Sequence, residues 1–93
     1  MKDPVYIFKG TLYDGLTITV QSGETVAEVR LFNPVTKETA LFEKDSNGEY
    51  YLTEDKTANL TVGSYSIEVY DSDNRMLSSA ANFARVVESS KGN

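Results

Sequence analysis

Apolar and polar residues alternate along much of this chain with a period of two. Leu16, Ile18 and Val20 interleave with Thr17, Thr19 and Gln21, and Tyr65, Ile67 and Val69 interleave with Ser66, Glu68 and Tyr70. A strand points successive side chains to opposite faces, so each stretch reads as a half-buried strand. Ala27, Val29 and Leu31 against Glu28 and Arg30 predict another, placed inside a sheet, and Ala40 and Phe42 point inward from the strand that returns from it. Pro4 to Lys9 is a short apolar strand, and a proline at its first position, where no ladder bond is lost, places it at an edge. The last strand runs from Met76 to Val87, with small residues at Ser78 to Ala81 that predict a bulge or a crossing between sheets.

Turn chemistry separates these runs. Ser22-Gly23 and Asn33-Pro34 interrupt the pattern with residues that tolerate or preset turn dihedrals, and Asp71 to Asn74 is a third such site. Asn47-Gly48 predicts a type I′ hairpin turn, which takes a positive φ at both residues. Between the strands led by Gly48 and Gly63, Thr53 offers an N-cap hydroxyl, and Glu54 and Asp55 suit the positive end of a helix. One helical turn near 54–60 follows, with Ala58 and Leu60 dipping into the core.

Seven or eight strands with turns every eight to twelve residues predict an all-β fold, a single antiparallel β-sandwich of the immunoglobulin-like type over residues 1–87. A partly open β-barrel is the alternative. Trp and Cys are absent, so the buried Trp and paired Cys of antibody domains are missing. Residues 88–93 are polar and read as a disordered tail. Nothing repeats, and 93 residues suffice for one core.

Composition narrows the function. The 14 Asp and Glu outnumber the 9 Lys and Arg, for a net charge of −5 that opposes nucleic-acid phosphates and anionic membranes. No histidine or cysteine is present, which removes the usual general base, the thiol nucleophile and most zinc or copper sites. The expectation is a protein that is no enzyme and holds no cofactor or metal. The first nine residues lack the apolar core of a signal peptide, so export by that route is not expected. Calcium could use Asp71, Asp73 and Asn74 or Asp45 and Asn47, but neither loop has the spaced oxygens of an EF-hand, and turn formation explains these residues. Among six tyrosines, Tyr51 and Tyr70 are expected outward; with Val5 and Ile7 of the edge strand they form the candidate interaction face.

The segment from Gly48-Glu49-Tyr50-Tyr51-Leu52-Thr53 through Gly63-Ser64-Tyr65-Ser66-Ile67-Glu68-Val69-Tyr70-Asp71 resembles the second half of small immunoglobulin-like domains from tailed-phage and prophage structural modules. The likeness covers Gly48 to Val87. At Lys9-Gly10-Thr11 the chain departs from the Gly-Asp step usual in that family. The resemblance implies a virion structural or assembly protein of the head–tail junction, tail or baseplate, made in the bacterial host cytoplasm. Its partners would be other virion proteins or copies of itself, with an oligomer forming on assembly, and it transfers no site residues. The rival readings are a small acidic inhibitor of a host protein and an adhesion module of a surface protein.

Overall fold

A computed structural model describes residues 3–88. It is mostly β, with β1 (Val5–Phe8), β2 (Tyr13–Leu16), β3 (Glu28–Phe32), β4 (Thr39–Leu41), β5 (Glu43–Lys44), β6 (Tyr50–Leu52), β7 (Gly63–Tyr70) and β8 (Met76–Val87), and one short helix, α1 (Glu54–Ala58), between β6 and β7. β1-β8-β7-β3-β4 form a curled five-stranded sheet and β2-β6-β5 a three-stranded one. The expected tail at 88–93 lies outside the described residues except for Glu88.

One pairing departs from the antiparallel expectation. β1 runs parallel to β8, with Tyr6 opposite Arg85 and Phe8 opposite Val87, so the larger sheet is mixed. Alternation predicts which face a residue takes but not the direction of its partner strand.

The core forms where the inner faces of both sheets meet. Ile7 of β1, Val29 and Leu31 of β3, Leu52 of β6, Tyr65, Ile67 and Val69 of β7, and Ala84 and Val86 of β8 are all buried in one cluster. Burying a side chain of this size is worth about 1.5–3 kcal/mol, so this cluster is the main source of stability. Phe42 is the hinge between sheets. Its N–H still donates to Val29 O at 2.9 Å, extending the β3–β4 ladder, while the next residue, Glu43, already pairs with Tyr51 in the smaller sheet.

The strand expected over Leu16 to Gln21 is instead a ladder over Tyr13–Leu16. Tyr13 pairs with Leu52 and Leu16 with Tyr50, so Gly15, at φ +83°, sits in a one-residue bulge. Beyond Leu16 the partner strand has ended, since β6 is only three residues long. Ile18 and Val20 keep the expected inward parity and pack on the core without a ladder. At the start of β3, Ala27 is exposed and Val26 takes the core contact expected of it. In β8 a bulge falls just beyond the expected Ser78–Ala81 run: Tyr65 pairs with Ala84 but Ile67 with Ala80, and Asn82 adopts φ +55°.

The turn at Asn47-Gly48 differs from type I′, because only Gly48 has positive φ, at +83°. The Asp45 carboxylate decides this by accepting from the N–H groups of Asn47 at 2.8 Å and Glu49 at 3.0 Å. In α1 the expected N-cap holds, Thr53 Oγ1 accepting from Lys56 N. The buried helix residue is Thr57, not Ala58, which is exposed.

Candidate interaction surface

Side-chain direction sorts the four residues of the candidate face. Ile7 is 1% exposed and Val5 is half-buried against the core, so both side chains face inward. Alternation gives the outward positions of β1 to Tyr6, 57% exposed, and Phe8, 43% exposed. The sequence pattern does not tell which side chains of β1 face outward, because a four-residue apolar run has no polar side to mark the outside.

Tyr70 stands on the outer face of the five-stranded sheet. The Arg30 guanidinium lies 4.1 Å from its ring centroid, Glu28 holds Arg30 at 2.7 Å, and the Tyr70 hydroxyl donates to Glu68 Oε1 at 3.0 Å. Cross-strand register makes this set: Glu28 faces Tyr70 and Arg30 faces Glu68. Burial, followed by the Glu68 hydrogen bond, pushes the Tyr70 phenol above its ordinary range. Arg30 offsets one of the two carboxylates, Glu28 and Glu68, and among the buried side-chain atoms of the described residues Arg30 Nε is left without a partner.

Tyr51 belongs to the other sheet. Its hydroxyl donates to Glu43 Oε1 at 3.2 Å, and that hydrogen bond is the largest cause of its raised pKa. Tyr51 and Tyr70 therefore occupy different sheets and form no shared aromatic face.

The two edges of the larger sheet are unlike. β4 is three residues long, and Lys56 Nζ reaches across from α1 to bond Leu41 O at 2.6 Å and Glu43 Oε2 at 3.4 Å. A lysine seated on a backbone carbonyl obstructs an incoming strand. No sequence pattern points to this contact, since it joins residues fifteen apart through a sheet-switching bend.

Among the described residues no lysine crosses the β1 edge, and only its Phe8 end is covered, by Thr11. Lys9 N donates to Val87 O, which fixes the parity of the parallel ladder: Val5, Ile7 and Lys9 turn their backbone groups to β8, while Pro4, Tyr6 and Phe8 turn theirs to the open side. Phe8 O is already used, accepting from Thr11 N at 3.1 Å and Thr11 Oγ1 at 2.7 Å. Tyr6, Phe8 and the nearby Leu12 are all exposed apolar side chains.

The acidic turns are built for backbone capture. Asp45 and Asp71 each accept two backbone N–H groups through Oδ1, and Asp71 accepts from Asp73 and Arg75 at 2.9 Å each. Among the described residues no three His, Cys, Asp or Glu side chains converge. Compared with protein families, curated proteins and solved structures, the chain finds no match.

Proposed function

We propose that this chain is a non-enzymatic, immunoglobulin-like module that works by protein–protein contact, as a structural or assembly component of a phage or prophage virion. Three features support the immunoglobulin-like reading. β3, β7 and β8 share one sheet while β2, β6 and β5 form the other, and the first strand lies parallel to the last. A helical turn joins β6 to β7. Tyr65, at the start of β7, donates its hydroxyl to Thr61 O at 2.7 Å, as the tyrosine corner of such domains bonds back to the backbone a few residues upstream.

The contact role rests on the β1 edge, where an edge strand presents Tyr6 and Phe8 beside the outward-facing backbone groups of Pro4 and Tyr6. An exposed edge is a template for strand addition, and aromatic side chains are enriched where proteins meet. The non-enzymatic reading is supported by the engagement of Asp45 and Asp71 with backbone donors and of Glu28 and Glu43 with cations. The virion setting, with synthesis in the bacterial cytoplasm, is carried by the Gly48–Asp71 resemblance.

Co-expression with the proteins encoded beside it tests the reading. The intact chain is expected to co-purify with a head, tail or baseplate neighbour, and the double variant Tyr6→Asp, Phe8→Asp to fold and lose it. Tight, salt-sensitive capture of a host enzyme with no structural neighbour bound would make the chain an inhibitor instead.

A further inference from the structure

The open side of β1 has an uneven set of hydrogen-bonding groups. Pro4 has a carbonyl and no N–H. Tyr6 has both. Phe8 has a free N–H and a carbonyl filled twice by Thr11. The set thus reads acceptor, donor with acceptor, donor. This order is its own complement when the strand is turned around.

We infer that two copies of this chain pair antiparallel through β1, with the two-fold axis at Tyr6. In this register Tyr6 exchanges both of its bonds with Tyr6 of the second copy, and each Phe8 N–H donates to Pro4 O across the axis. All four free groups of each copy find partners, and the two missing ones, the Pro4 N–H and the filled Phe8 carbonyl, fall opposite each other. A slide of two residues either way breaks the match. One direction sets Tyr6 O against the proline nitrogen, and the other sets the Tyr6 N–H against the filled Phe8 carbonyl. Buried or shielded backbone groups without partners are costly, so the register is defined by the strand itself.

Side chains agree with the same axis. Residues whose numbers sum to twelve lie opposite each other, which sets Asp3 against Lys9 of the second copy, twice, at non-hydrogen-bonded positions where opposed side chains come closest. On the outer face Tyr6 meets Tyr6, and Phe8 meets Pro4. The half-buried Val5 lies beside Ile7 of the other copy. Such an isologous contact closes on itself and joins the two five-stranded sheets into one of ten strands. The contact is short, and small interfaces belong to weak, transient pairings, so the dimer is expected only at high concentration. This inference deepens the assembly reading above by naming one partner as the chain itself.

Sedimentation equilibrium of the intact chain from micromolar to millimolar concentration tests it. The mass is expected to rise from 10.3 kDa toward twice that value. Tyr6→Pro removes an N–H that points away from β8, so it is expected to keep its melting curve and stay monomeric. Asp3→Lys and Lys9→Glu alone should each weaken the dimer several-fold, and the two together should restore it, a readout that holds even if the proline variant fails to fold. A monomer throughout, or a dimer indifferent to the folded proline variant and to both charge variants, overturns the pairing. A monomer that still holds a virion neighbour also overturns it while leaving the assembly reading in place.

Discussion

The Tyr65 hydroxyl lies 2.7 Å from the carbonyl of Thr61, four residues upstream, and 3.2 Å from Glu38 Oε1. The ring is fully buried among both sheets while its oxygen reaches the surface turn that feeds β7. One side chain thereby fixes the path of the connection from α1 into the central strand. Burial, the largest cause, raises the Tyr65 phenol above its ordinary value, so the neutral donor persists at all physiological pH.

Tyr65→Phe keeps the buried ring and removes only the hydroxyl. It is expected to cost about 1 kcal/mol, the usual net worth of one hydrogen bond. Tyr51→Phe, which loses an exposed bond to Glu43, should stay within about 0.5 kcal/mol of the parent. Urea melts of the two variants check the difference, and equal midpoints would show that the Tyr65–Thr61 bond contributes nothing.

Glu38 collects the hydroxyls of this region. It accepts from Thr61 Oγ1 at 3.0 Å, from Thr36 Oγ1 at 2.9 Å and from the nearby Tyr65, and the Thr61 bond is the largest cause of a carboxyl pKa held below 4.5. A carboxylate whose folded pKa is depressed stabilises the fold above its unfolded value, and the contribution disappears as pH falls through the folded value. Stability should therefore drop below about pH 4.5. Glu38→Gln should flatten that part of the curve and lower stability at pH 7. Denaturant midpoints taken between neutral pH and pH 3 measure both changes.

Sequence pattern reaches the faces of strands more surely than their partners. Tyr65, Ile67 and Val69 face inward as their alternation predicts, and even Ile18 and Val20, which join no ladder, keep their parity. The parallel match of β1 with β8 is invisible because the same apolar residues would suit either direction. Ala58 looks like the core residue of α1 by its chemistry, yet Thr57 is buried because its hydroxyl has backbone partners in the distant β1–β2 connection. At the candidate surface, β1 is legible as an edge from Pro4. The filling of Phe8 O by Thr11 and the seating of Lys56 on Leu41 require the folded chain.

Thr57 supplies the next test. Its Oγ1 accepts from Gly10 N at 3.0 Å and donates to Thr11 O at 2.8 Å, tying the helix to the connection that leaves β1. Thr57→Val preserves the shape and leaves both groups without a partner, for an expected loss of about 1–3 kcal/mol. Thr57→Ser retains the hydroxyl and should recover most of it. Thermal melts of the pair separate lost hydrogen bonds from lost packing.

Two turns follow one plan. In each, an Asp accepts from the N–H groups two and four residues on, its own N–H donates to the carbonyl four residues on, and its carbonyl accepts from the residue three on. That third residue carries the positive φ: Gly48 at +83° and Asn74 at +63°. No atom crowds a Cβ at Gly48, so Gly48→Val tests backbone strain alone, and about 1–3 kcal/mol is expected. Asn74→Gly, at the matching position, should be neutral or mildly stabilising, and Asn74→Val should be harmful. Equal effects of valine and glycine at residue 74 would refute the shared plan.

Lys56 guards the β4 edge by bonding Leu41 O at 2.6 Å, beside the exposed Leu41 side chain. The ammonium is partly solvated, so its pairing with Glu43 adds little to stability, and Lys56→Ala should shift the melt by less than about 1 kcal/mol. Its larger effect should be on association. With the carbonyl released, β4 becomes a second open edge, and a molecule with an open strand at both ends of one sheet can add copies without closing. Lys56→Ala should then show concentration-dependent growth beyond a dimer in light scattering, whereas the parent stops at two chains. Lys56→Arg, which keeps a long cationic donor at the same place, should behave like the parent. If Lys56→Ala stays no larger than the parent at every concentration, the lysine is an ordinary surface residue and the β4 edge is protected by its shortness alone.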